Sequence, residues 1–548
     1  MQIQTPLEKF YYWNKQKPDH TFLRQPYKGE WIHYSWKKTD DQVRRMVSYI
    51  HSLNLPPQSK IAIISKNCAH WIMADLAIMM SGHISVPLYP TISADTIRYC
   101  IEHCDAKVAF IGKLDDWKSQ RSGLPENVKG ISFPFWTEEG YENWDDIVAN
   151  NQPYTEDYIP KRSDISTIIY TSGTTGLPKG VVHTFYTFSY AVSWALTQID
   201  DMTDKERFFS YLPLSHIAER MLVVMGGLYS GGSISFAESI DLFASNLKES
   251  QPTIFLAVPR IWTKFQMGIL EKLPQKKLNV LLKIPVVNSL IKKKIKSGLG
   301  LEHARYLLTG ASPLSVSAMA WFDTIGFDIC EAYAMTENCA YSHLTRVGKK
   351  KLGYVGTAMP NCDVKITEEG EILVKSDATM KEYYREPEKT KETITEDGYL
   401  RTGDKGEIDK DGYLKITGRV KDIFKTDKGK YVAPAPIELA LSKNNFIEQV
   451  CVVGSNLPQT MAMVVLSEEA KAKEKEAINQ SLLETMKEVN TTLDKHERMK
   501  KMVVMQDEWT VDNNFLTPTL KVKRNILEKE KEPNYFDWYK HQDTIVWE

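Results

Sequence analysis

Residues 170–184 read Tyr-Thr-Ser-Gly-Thr-Thr-Gly-Leu-Pro-Lys-Gly-Val-Val-His-Thr and follow an isoleucine-rich run that predicts a short strand. Glycines in such a stretch allow positive φ and a close approach of the backbone to a ligand. Successive backbone N–H groups can converge on an anion, and the lysine adds a positive charge. The stretch therefore predicts a phosphate-binding loop after a strand. We assign to it Thr171, Ser172, Gly173, Thr174, Thr175, Gly176 and Lys179.

Two other interpretations of this loop have different consequences. A solvent-exposed loop rich in serine, threonine and glycine would have the same composition. The P-loop of NTPases is excluded, because that motif requires Gly-Lys-[Ser/Thr], whereas Leu177 follows Gly176 and Gly180 follows Lys179. If the loop binds phosphate, it does so with a different motif.

The composition is that of a large globular protein without a charge bias. The 548 residues suggest about three or four domain-sized units. The 69 basic and 70 acidic residues leave a net charge of −1, which gives no argument for a nucleic-acid partner. The seven cysteines are scattered and form no Cys-x-x-Cys pair, which favours a reducing compartment. With neither a signal-peptide pattern nor a long apolar run, we expect a cytoplasmic protein.

The first two-thirds of the chain alternate strand-like and helix-like segments. Residues 60–65 and 84–89 are strand-like, and the helix-like run 71–80 lies between them. This alternation predicts an α/β fold of stacked layers. From about residue 360, short alternating strands around polar turns predict hairpins and hence a small β-rich subdomain.

The composition changes again after Gly418-Arg419, where lysine becomes frequent. One long charged helix, residues 467–490, is predicted between apolar strands at 450–453 and 502–504. We therefore predict a large N-terminal domain, residues 1–419, and a small α+β C-terminal domain, residues 420–548.

Four further motifs carry hydroxyl or charged groups, and three of them also contain a glycine. They are Thr309-Gly310-Ala311-Ser312-Pro313-Leu314, Glu331-Ala332-Tyr333-Ala334-Met335-Thr336-Glu337, Tyr399-Leu400-Arg401-Thr402-Gly403-Asp404 and Gly418-Arg419-Val420-Lys421-Asp422. Together with residues 170–184, and in the same order, they resemble the motifs of the adenylate-forming superfamily of acyl-CoA synthetases, peptide-synthetase adenylation domains and beetle luciferases. Ala334 and Glu382 depart from this pattern, because the superfamily commonly has glycine at both positions.

The resemblance implies a nucleotide site built from these motifs, with ATP as co-substrate and Mg²⁺ as cofactor. A core aromatic and a solvated aspartate are the structural alternatives for Tyr333 and Asp404. The implied roles are an adenine contact for Gly310, Ala311, Ser312 and Tyr333, an α-phosphate contact for Thr336, a Mg²⁺ ligand for Glu337, a ribose contact for Asp404, a ribose or phosphate contact for Arg419 and a hinge for Lys421.

A lysine near the C-terminus completes the implied catalytic set. Residues 514–524 resemble the Leu-Thr-Pro-Thr-Leu-Lys-x-Lys-Arg ending of long-chain fatty-acyl-CoA synthetases. The resemblance implies that Lys521 is catalytic, with Lys523 as the second candidate and a solvated lysine face as the alternative. It also implies a mobile C-terminal domain that rotates between two half-reactions.

Two segments resemble the long-chain branch of the superfamily and indicate the substrate. They are residues 212–220, Leu-Pro-Leu-Ser-His-Ile-Ala-Glu-Arg, and residues 258–264, Val-Pro-Arg-Ile-Trp-Thr-Lys. The first implies that His216 lies near the acyl carboxylate. The implied activity is ATP-dependent conversion of a long-chain fatty acid to acyl-adenylate and then, with coenzyme A, to acyl-CoA, AMP and pyrophosphate. Transfer to a carrier protein, or acyl-nucleotide binding without catalysis, are the alternatives.

Residues 278–296 are first apolar and then basic. An inserted helix with a solvated basic face is one interpretation. The other is a contact with a membrane surface, which would place the protein at the inner face of the membrane.

Overall fold

The computed structural model describes residues 3–171, 177–517 and 519–548. The chain forms two compact units, the first from Met1–Asp363 and Val374–Leu400 and the second from Val364–Leu373 and Arg401–Glu548. Residues 401–419, which we assigned to the N-terminal domain from sequence, belong to the second unit because their strands pair within a sheet of that unit.

Most strands are short, and they occur in both units. In chain order they are β1 (Thr21–Tyr27), β2 (Glu30–Ser35), β3 (Lys60–Ile64), β4 (Ile84–Leu88), β5 (Ala106–Ile111), β6 (Lys129–Ser132), β7 (Glu142–Asn143), β8 (Ile165–Thr171), β9 (Lys179–Thr184), β10 (Arg207–Ser210), β11 (Ser233–Phe236), β12 (Ile254–Ala257), β13 (Tyr306–Thr309), β14 (Ile329–Tyr333), β15 (His343–Leu344), β16 (Thr357–Ala358), β17 (Asp363–Ile366), β18 (Glu371–Lys375), β19 (Glu382–Tyr383), β20 (Leu400–Ile408), β21 (Leu414–Arg419), β22 (Phe424–Lys425), β23 (Tyr431–Val432), β24 (Ile447–Val453), β25 (Thr460–Leu466), β26 (Met499–Val504) and β27 (Ile545–Trp547).

Many helices begin at a side-chain cap; for example, Thr5 accepts a hydrogen bond from the Glu8 backbone N–H at the start of the first helix. The helices are α1 (Pro6–Gln16), α2 (Trp36–Ser52), α3 (Ala69–Met80), α4 (Ala94–Cys104), α5 (Trp117–Gln120), α6 (Trp144–Asn150), α7 (Phe185–Leu196), α8 (Ile217–Glu219), α9 (Gly226–Ser230), α10 (Phe243–Ser250), α11 (Pro259–Lys272), α12 (Gln275–Leu282), α13 (Pro285–Gly298), α14 (Val316–Thr324), α15 (Pro387–Thr393), α16 (Pro434–Leu441), α17 (Glu468–Lys471), α18 (Lys475–Thr491), α19 (Arg524–Lys531) and α20 (Tyr535–Lys540). None of them, within the described ranges, combines the length and apolarity needed to cross a membrane.

The first unit is organised around an eight-stranded sheet in the order β19-β9-β8-β4-β3-β5-β6-β7. Its central strands β4, β3 and β5 are parallel, with Lys60 opposite both Ile84 and Ala106. Parallel strands are covered by other elements on both faces, so they carry continuous apolar runs such as the Ile-Ala-Ile-Ile of β3. The predicted α/β layers are confirmed.

The stretch that opened the sequence analysis lies on a hairpin at one side of this sheet. β8 and β9 are antiparallel, with Thr171 opposite Lys179. Gly180 is required there because a Cβ atom at this position would lie 2.8 Å from Cγ2 of Ile168. Ser172, Gly173, Thr174, Thr175 and Gly176, the predicted loop residues between the two strands, lie outside the described residues.

A buried ion pair joins helical and sheet layers of the first unit. Arg220 donates to Asp75 Oδ1 at 2.6 Å and to Thr167 Oγ1 at 2.7 Å. The side chains of Arg220 and Asp75 are both 1% exposed. A buried charge is tolerated only when it is paired and hydrogen-bonded, so this contact fixes α3, β8 and the turn that contains Arg220 relative to one another.

A five-stranded sheet, β12-β13-β14-β15-β16, carries two of the predicted motifs. β12, β13 and β14 are parallel, with Thr309 opposite Glu331. The carboxyl ends of parallel strands lie at one edge, so Gly310 after β13 and Tyr333 at the end of β14 come to the same edge.

The second unit contains the sheets β17-β18-β20-β21 and β24-β25-β26-β27. Strand β25 was missed from sequence, although all seven of its residues are buried. The predicted single helix 467–490 is wrong: the structure has α17 and α18. Ser467 caps α17, and Glu474 is the N-cap residue of α18. Ala470 is the buried residue of α17, and α18 buries Ile478, Leu482, Met486 and Val489.

Candidate active site

Lys179 and Glu337, predicted from motifs far apart in sequence, both lie beside Tyr383. The Tyr383 hydroxyl donates to Glu337 Oε1 at 2.7 Å. Lys179 Nζ lies 5.0 Å from the centroid of the Tyr383 ring, within the range of a cation–π contact. The first unit therefore brings a cation to the ring of Tyr383 and a carboxylate to its hydroxyl group.

Strand pairing explains how Tyr383 reaches this place. β19 pairs antiparallel with β9, and Tyr383 lies opposite Val181, close to the start of the strand that Lys179 begins. The backbone N–H of Met380 also donates to the Glu337 carbonyl at 2.7 Å. Burial, and then the charge of Glu337, raise the pKa of Tyr383. The hydroxyl therefore stays protonated and acts as a hydrogen-bond donor to Glu337. Tyr383 was missed from sequence.

Thr336 is held through its backbone by a buried histidine. His183 Nε2 lies 2.8 Å from the Thr336 carbonyl oxygen, which can only accept, so Nε2 carries the proton. Burial lowers the pKa of His183 to about 4, which keeps the ring neutral. This hydrogen bond anchors the turn Thr336–Asn338, which contains Glu337.

Tyr333 ends β14, and residues 310–312 follow β13, the neighbouring parallel strand. A Cβ atom on Gly310 would lie 3.1 Å from the Ala332 carbonyl oxygen, so glycine allows a close approach of the two strand ends. Ala311 has φ of +67°, and Ala311 and Ser312 are exposed. Tyr333 is half-buried, with its ring 6.0 Å from that of His343.

His216 caps helix α8, and this fixes its protonation. The Ala218 backbone N–H donates to His216 Nδ1 at 3.2 Å. An N–H group cannot accept, so Nδ1 is unprotonated and the ring is neutral with its proton on Nε2.

Two buried polar side chains hold the loop that leads to His216. Asn67 donates to the Leu212 carbonyl at 2.6 Å and accepts from the Leu214 N–H at 3.2 Å. Glu219 Oε1 accepts from the Tyr211 N–H at 2.9 Å. Burial raises the pKa of Glu219 to about 8, while hydrogen bonds, the Tyr211 N–H among them, act in the opposite direction.

In the second unit, Asp404 and Arg419 form an ion pair. They are opposite each other on β20 and β21, with Arg419 Nε 3.0 Å from Asp404 Oδ1. Asp404 is 13% exposed and Arg419 53%, so the pair itself adds little stability. Lys421 follows in the turn after β21.

Lys521 and Lys523 occupy different environments in this unit. Lys521 is an exposed residue, yet its pKa is lowered, first by desolvation, then by Arg419, while Asp404 raises it. The opposite effects of Arg419 and Asp404 indicate that Lys521 lies within electrostatic range of that pair. Lys523 Nζ instead donates to Asn514 Oδ1 at 2.5 Å. Of the two candidates, Lys521 is therefore the one that interacts electrostatically with Asp404 and Arg419, and its catalytic role stays a prediction.

The fold and these clusters are those of a two-domain α/β enzyme that binds a nucleotide. The family model "AMP-binding enzyme" matches residues 10–384, and "AMP-binding enzyme C-terminal domain" matches residues 421–533. The chain belongs to the AMP-binding enzyme family.

Relatives and solved structures resemble the chain over nearly its whole length. Long-chain-fatty-acid–CoA ligase 5 of Rattus norvegicus is 30% identical over 579 residues, covering 92% of this chain and 83% of the relative. Long-chain-fatty-acid–CoA ligase FadD15 of Mycobacterium bovis is 27% identical over 563 residues, covering 94% and 93%. The anthranilate CoA ligase AuaEII, solved with anthranoyl-AMP, has a TM-score of 0.79 at 19% identity and covers 98% of this chain and 99% of its own, which supports the fold.

We predict that Glu219→Gln makes stability less dependent on pH. The folded-state pKa of Glu219, about 8, is above the ordinary glutamate value of 4.5. The contribution of this carboxyl group to the free energy of unfolding is therefore fully present below about pH 4.5 and is lost as the pH rises towards 8. Glutamine keeps the acceptor for Tyr211 and cannot ionise. Urea unfolding should therefore show the variant gaining up to about 4 kcal/mol on the wild type between pH 5 and pH 9.

Glu388→Gln is the matched control, because the Glu388 side chain is 80% exposed. Its stability difference from the wild type should stay within about 0.5 kcal/mol across the same range. A pH-independent difference for Glu219→Gln would contradict the prediction.

Proposed function

We propose that this protein is an AMP-forming long-chain fatty-acid–CoA ligase. What carries the proposal is the placement of Lys179 and Glu337 around Tyr383, in a chain whose near-full-length relatives bear that name. ATP and coenzyme A are its co-substrates. The fatty acid is first converted to an acyl-adenylate and then to acyl-CoA.

The chemistry requires groups that stabilise charge on phosphorus. In the first half-reaction an oxygen of the fatty-acid carboxylate attacks the α-phosphorus of ATP, and the bond to pyrophosphate breaks. Lys179 would face the charge that develops, and a preorganised cation of this kind contributes a few kcal/mol. In the second half-reaction the thiol of coenzyme A attacks the acyl carbonyl and AMP leaves.

We assign the fatty-acid carboxylate to His216. Its Nδ1 is occupied by the Ala218 N–H, so Nε2–H is the donor that the neutral ring can offer. Asn67 and Glu219 hold the loop on which it lies. A donor fixed in this way orients a carboxylate for in-line attack at low entropic cost.

Glu337 is the residue that would hold Mg²⁺. Mg²⁺ takes oxygen ligands and is commonly bound by one or two carboxylates together with substrate phosphates. The described residues contain no group of three or more His, Cys, Asp or Glu side chains that could hold a metal, and one carboxylate oriented by Tyr383 fits the phosphate-assisted type of site. When bound, Mg²⁺ would neutralise phosphate charge.

We also propose that the protein works in the cytoplasm. The support is its seven cysteines, which are all free thiols, six of them buried. A reducing compartment keeps such thiols reduced.

The experiment that tests the function is a panel of fatty acids of about 8 to 20 carbons, with ATP and Mg²⁺, in which pyrophosphate and AMP are followed with and without coenzyme A. We expect pyrophosphate release with long chains in both cases and AMP release with coenzyme A. Pyrophosphate release with no transfer to coenzyme A would favour a carrier-protein acceptor. Nucleotide binding without pyrophosphate release would indicate a non-catalytic binding protein.

We predict that Tyr383→Phe weakens Mg·ATP binding more than binding of ATP without metal. The variant keeps the ring beside Lys179 but removes the donor to Glu337, and a hydrogen bond to a charged group is worth about 1.5–3 kcal/mol. Calorimetric titration should show affinity for Mg·ATP falling by about tenfold or more. Tyr384→Phe, at the neighbouring position, is the control and should bind as the wild type does; equal losses with and without Mg²⁺ would remove the metal assignment.

We predict that Lys521→Ala lowers the rate of adenylate formation by at least about 100-fold, because a cation that stabilises the transition state is lost. Transfer from a supplied acyl-adenylate to coenzyme A should change by less than about fivefold. Lys523→Ala is the matched variant, since that ammonium is bonded to Asn514, and it should retain adenylation. If the two variants behave alike, Lys521 is not the catalytic lysine.

A further inference from the structure

One segment of the first unit is strongly basic, although the whole chain is nearly neutral. Between Glu271 and Glu302 no residue is acidic, whereas the complete sequence is nearly balanced with a net charge of −1. This basic segment, residues 272–301, contains eight lysines: Lys272, Lys276, Lys277, Lys283, Lys292, Lys293, Lys294 and Lys296. A basic run of this length creates a local positive potential independent of the net charge.

The same segment exposes large apolar side chains. None of the residues of α13 is buried. The exposed fractions are 61% for Val280, 46% for Ile284, 73% for Val286 and 62% for Leu290. Exposed apolar side chains that cluster between lysines indicate an interaction surface, whereas single exposed apolar residues scattered over a protein do not.

The core does not need these four residues, because the segment contacts it through others. Leu278 is buried in a cluster with Trp262 and Phe322, and Ile291 and Ile295 pack against that cluster. The inner side of α12 and α13 is therefore already packed, and the exposed residues face away from it.

A groove beside Leu290 carries a cluster of lysines. It has a volume of about 510 Å³ and is lined by Lys248, Leu290, Lys293, Lys294, Ser297, Gly298 and Glu302. Glu302 lies 3.4 Å from Lys293 Nζ and compensates one of the three lysines. The groove thus keeps a net positive charge next to an exposed leucine.

We propose that α12 and α13 dock on an anionic lipid surface, with Val286 and Leu290 entering the boundary between headgroups and acyl chains and the lysine groove binding a lipid phosphate. Lysines around an apolar patch are the combination that membrane-surface helices use. The basic segment contains no aromatic residue on which a base could stack, which disfavours single-stranded nucleic acid. A second copy of the chain would bring like charges together. The proposal does not rest on the fatty-acid chemistry.

The test is co-sedimentation of the full-length protein with vesicles of phosphatidylcholine alone or with about 40% phosphatidylglycerol. In about 50 mM NaCl we expect binding to the anionic vesicles that is at least tenfold tighter than binding to the neutral ones. In about 500 mM NaCl that preference should fall at least tenfold. Equal binding to both vesicles, or none to the anionic vesicles at low salt, overturns the proposal.

Two sets of substitutions separate the charged from the apolar contribution. The set Lys276→Gln, Lys277→Gln, Lys293→Gln and Lys294→Gln should weaken binding to anionic vesicles by at least about 100-fold, since each lysine near such a surface contributes roughly fivefold. Val286→Ser with Leu290→Ser should weaken it by about tenfold.

Matched controls are available at exposed sites elsewhere. The charge control is the set Lys410→Gln, Lys428→Gln, Lys487→Gln and Lys495→Gln, and the apolar control is Ile159→Ser with Val347→Ser. Both should bind vesicles as the wild type does, and all variants should form adenylate normally from fatty acid supplied on albumin. Equal losses of vesicle binding in the test and control sets would overturn the proposal. Self-association of the protein without vesicles, abolished by Val286→Ser with Leu290→Ser, would also overturn it and would indicate that a second copy of the chain binds this surface.

Discussion

The hydrogen bond from Tyr383 to Glu337 is the contact on which the first unit's site depends. It joins the edge strand of the large sheet to the turn that follows β14 of a different sheet. A buried carboxylate needs a donor to stay in place, and a tyrosine whose pKa is raised supplies one over the whole physiological range. The two sheets are thereby held in one arrangement, in which the lysine that begins β9 lies against the same ring.

Protonation states in this unit follow from backbone geometry as much as from burial. The ring of His216 is neutral because a backbone N–H occupies Nδ1, and His183 is neutral because it is buried against a carbonyl. Neither histidine needs a charged partner. His183 donates its Nε2–H to the Thr336 carbonyl and so positions that turn, and neither neutral ring adds a positive charge to the unit.

Sequence patterns predicted the α/β layers, because continuous apolar runs mark buried strands, and they singled out Lys179 and Glu337, because the spacing of glycine, hydroxyl and charged groups is local. They could not predict Tyr383, whose position follows from the pairing of β19 with β9, two segments distant in the chain. Strand β25, Thr-Met-Ala-Met-Val-Val-Leu, has no polar alternation because both of its faces are covered. The break between α17 and α18 depends on which helix faces pack against the core. Apolar periodicity in the sequence does not give that information.

The ion pair of Arg220 with Asp75 also constrains how this chain can change over time. Removing one member of a buried pair leaves an uncompensated charge and costs about 3–5 kcal/mol, whereas exchanging both for apolar residues is often neutral. A marginally stable protein rarely tolerates the intermediate. The energetics therefore couple the two positions: a single exchange at either is disfavoured, whereas a paired exchange for apolar residues of similar volume is compatible with the fold.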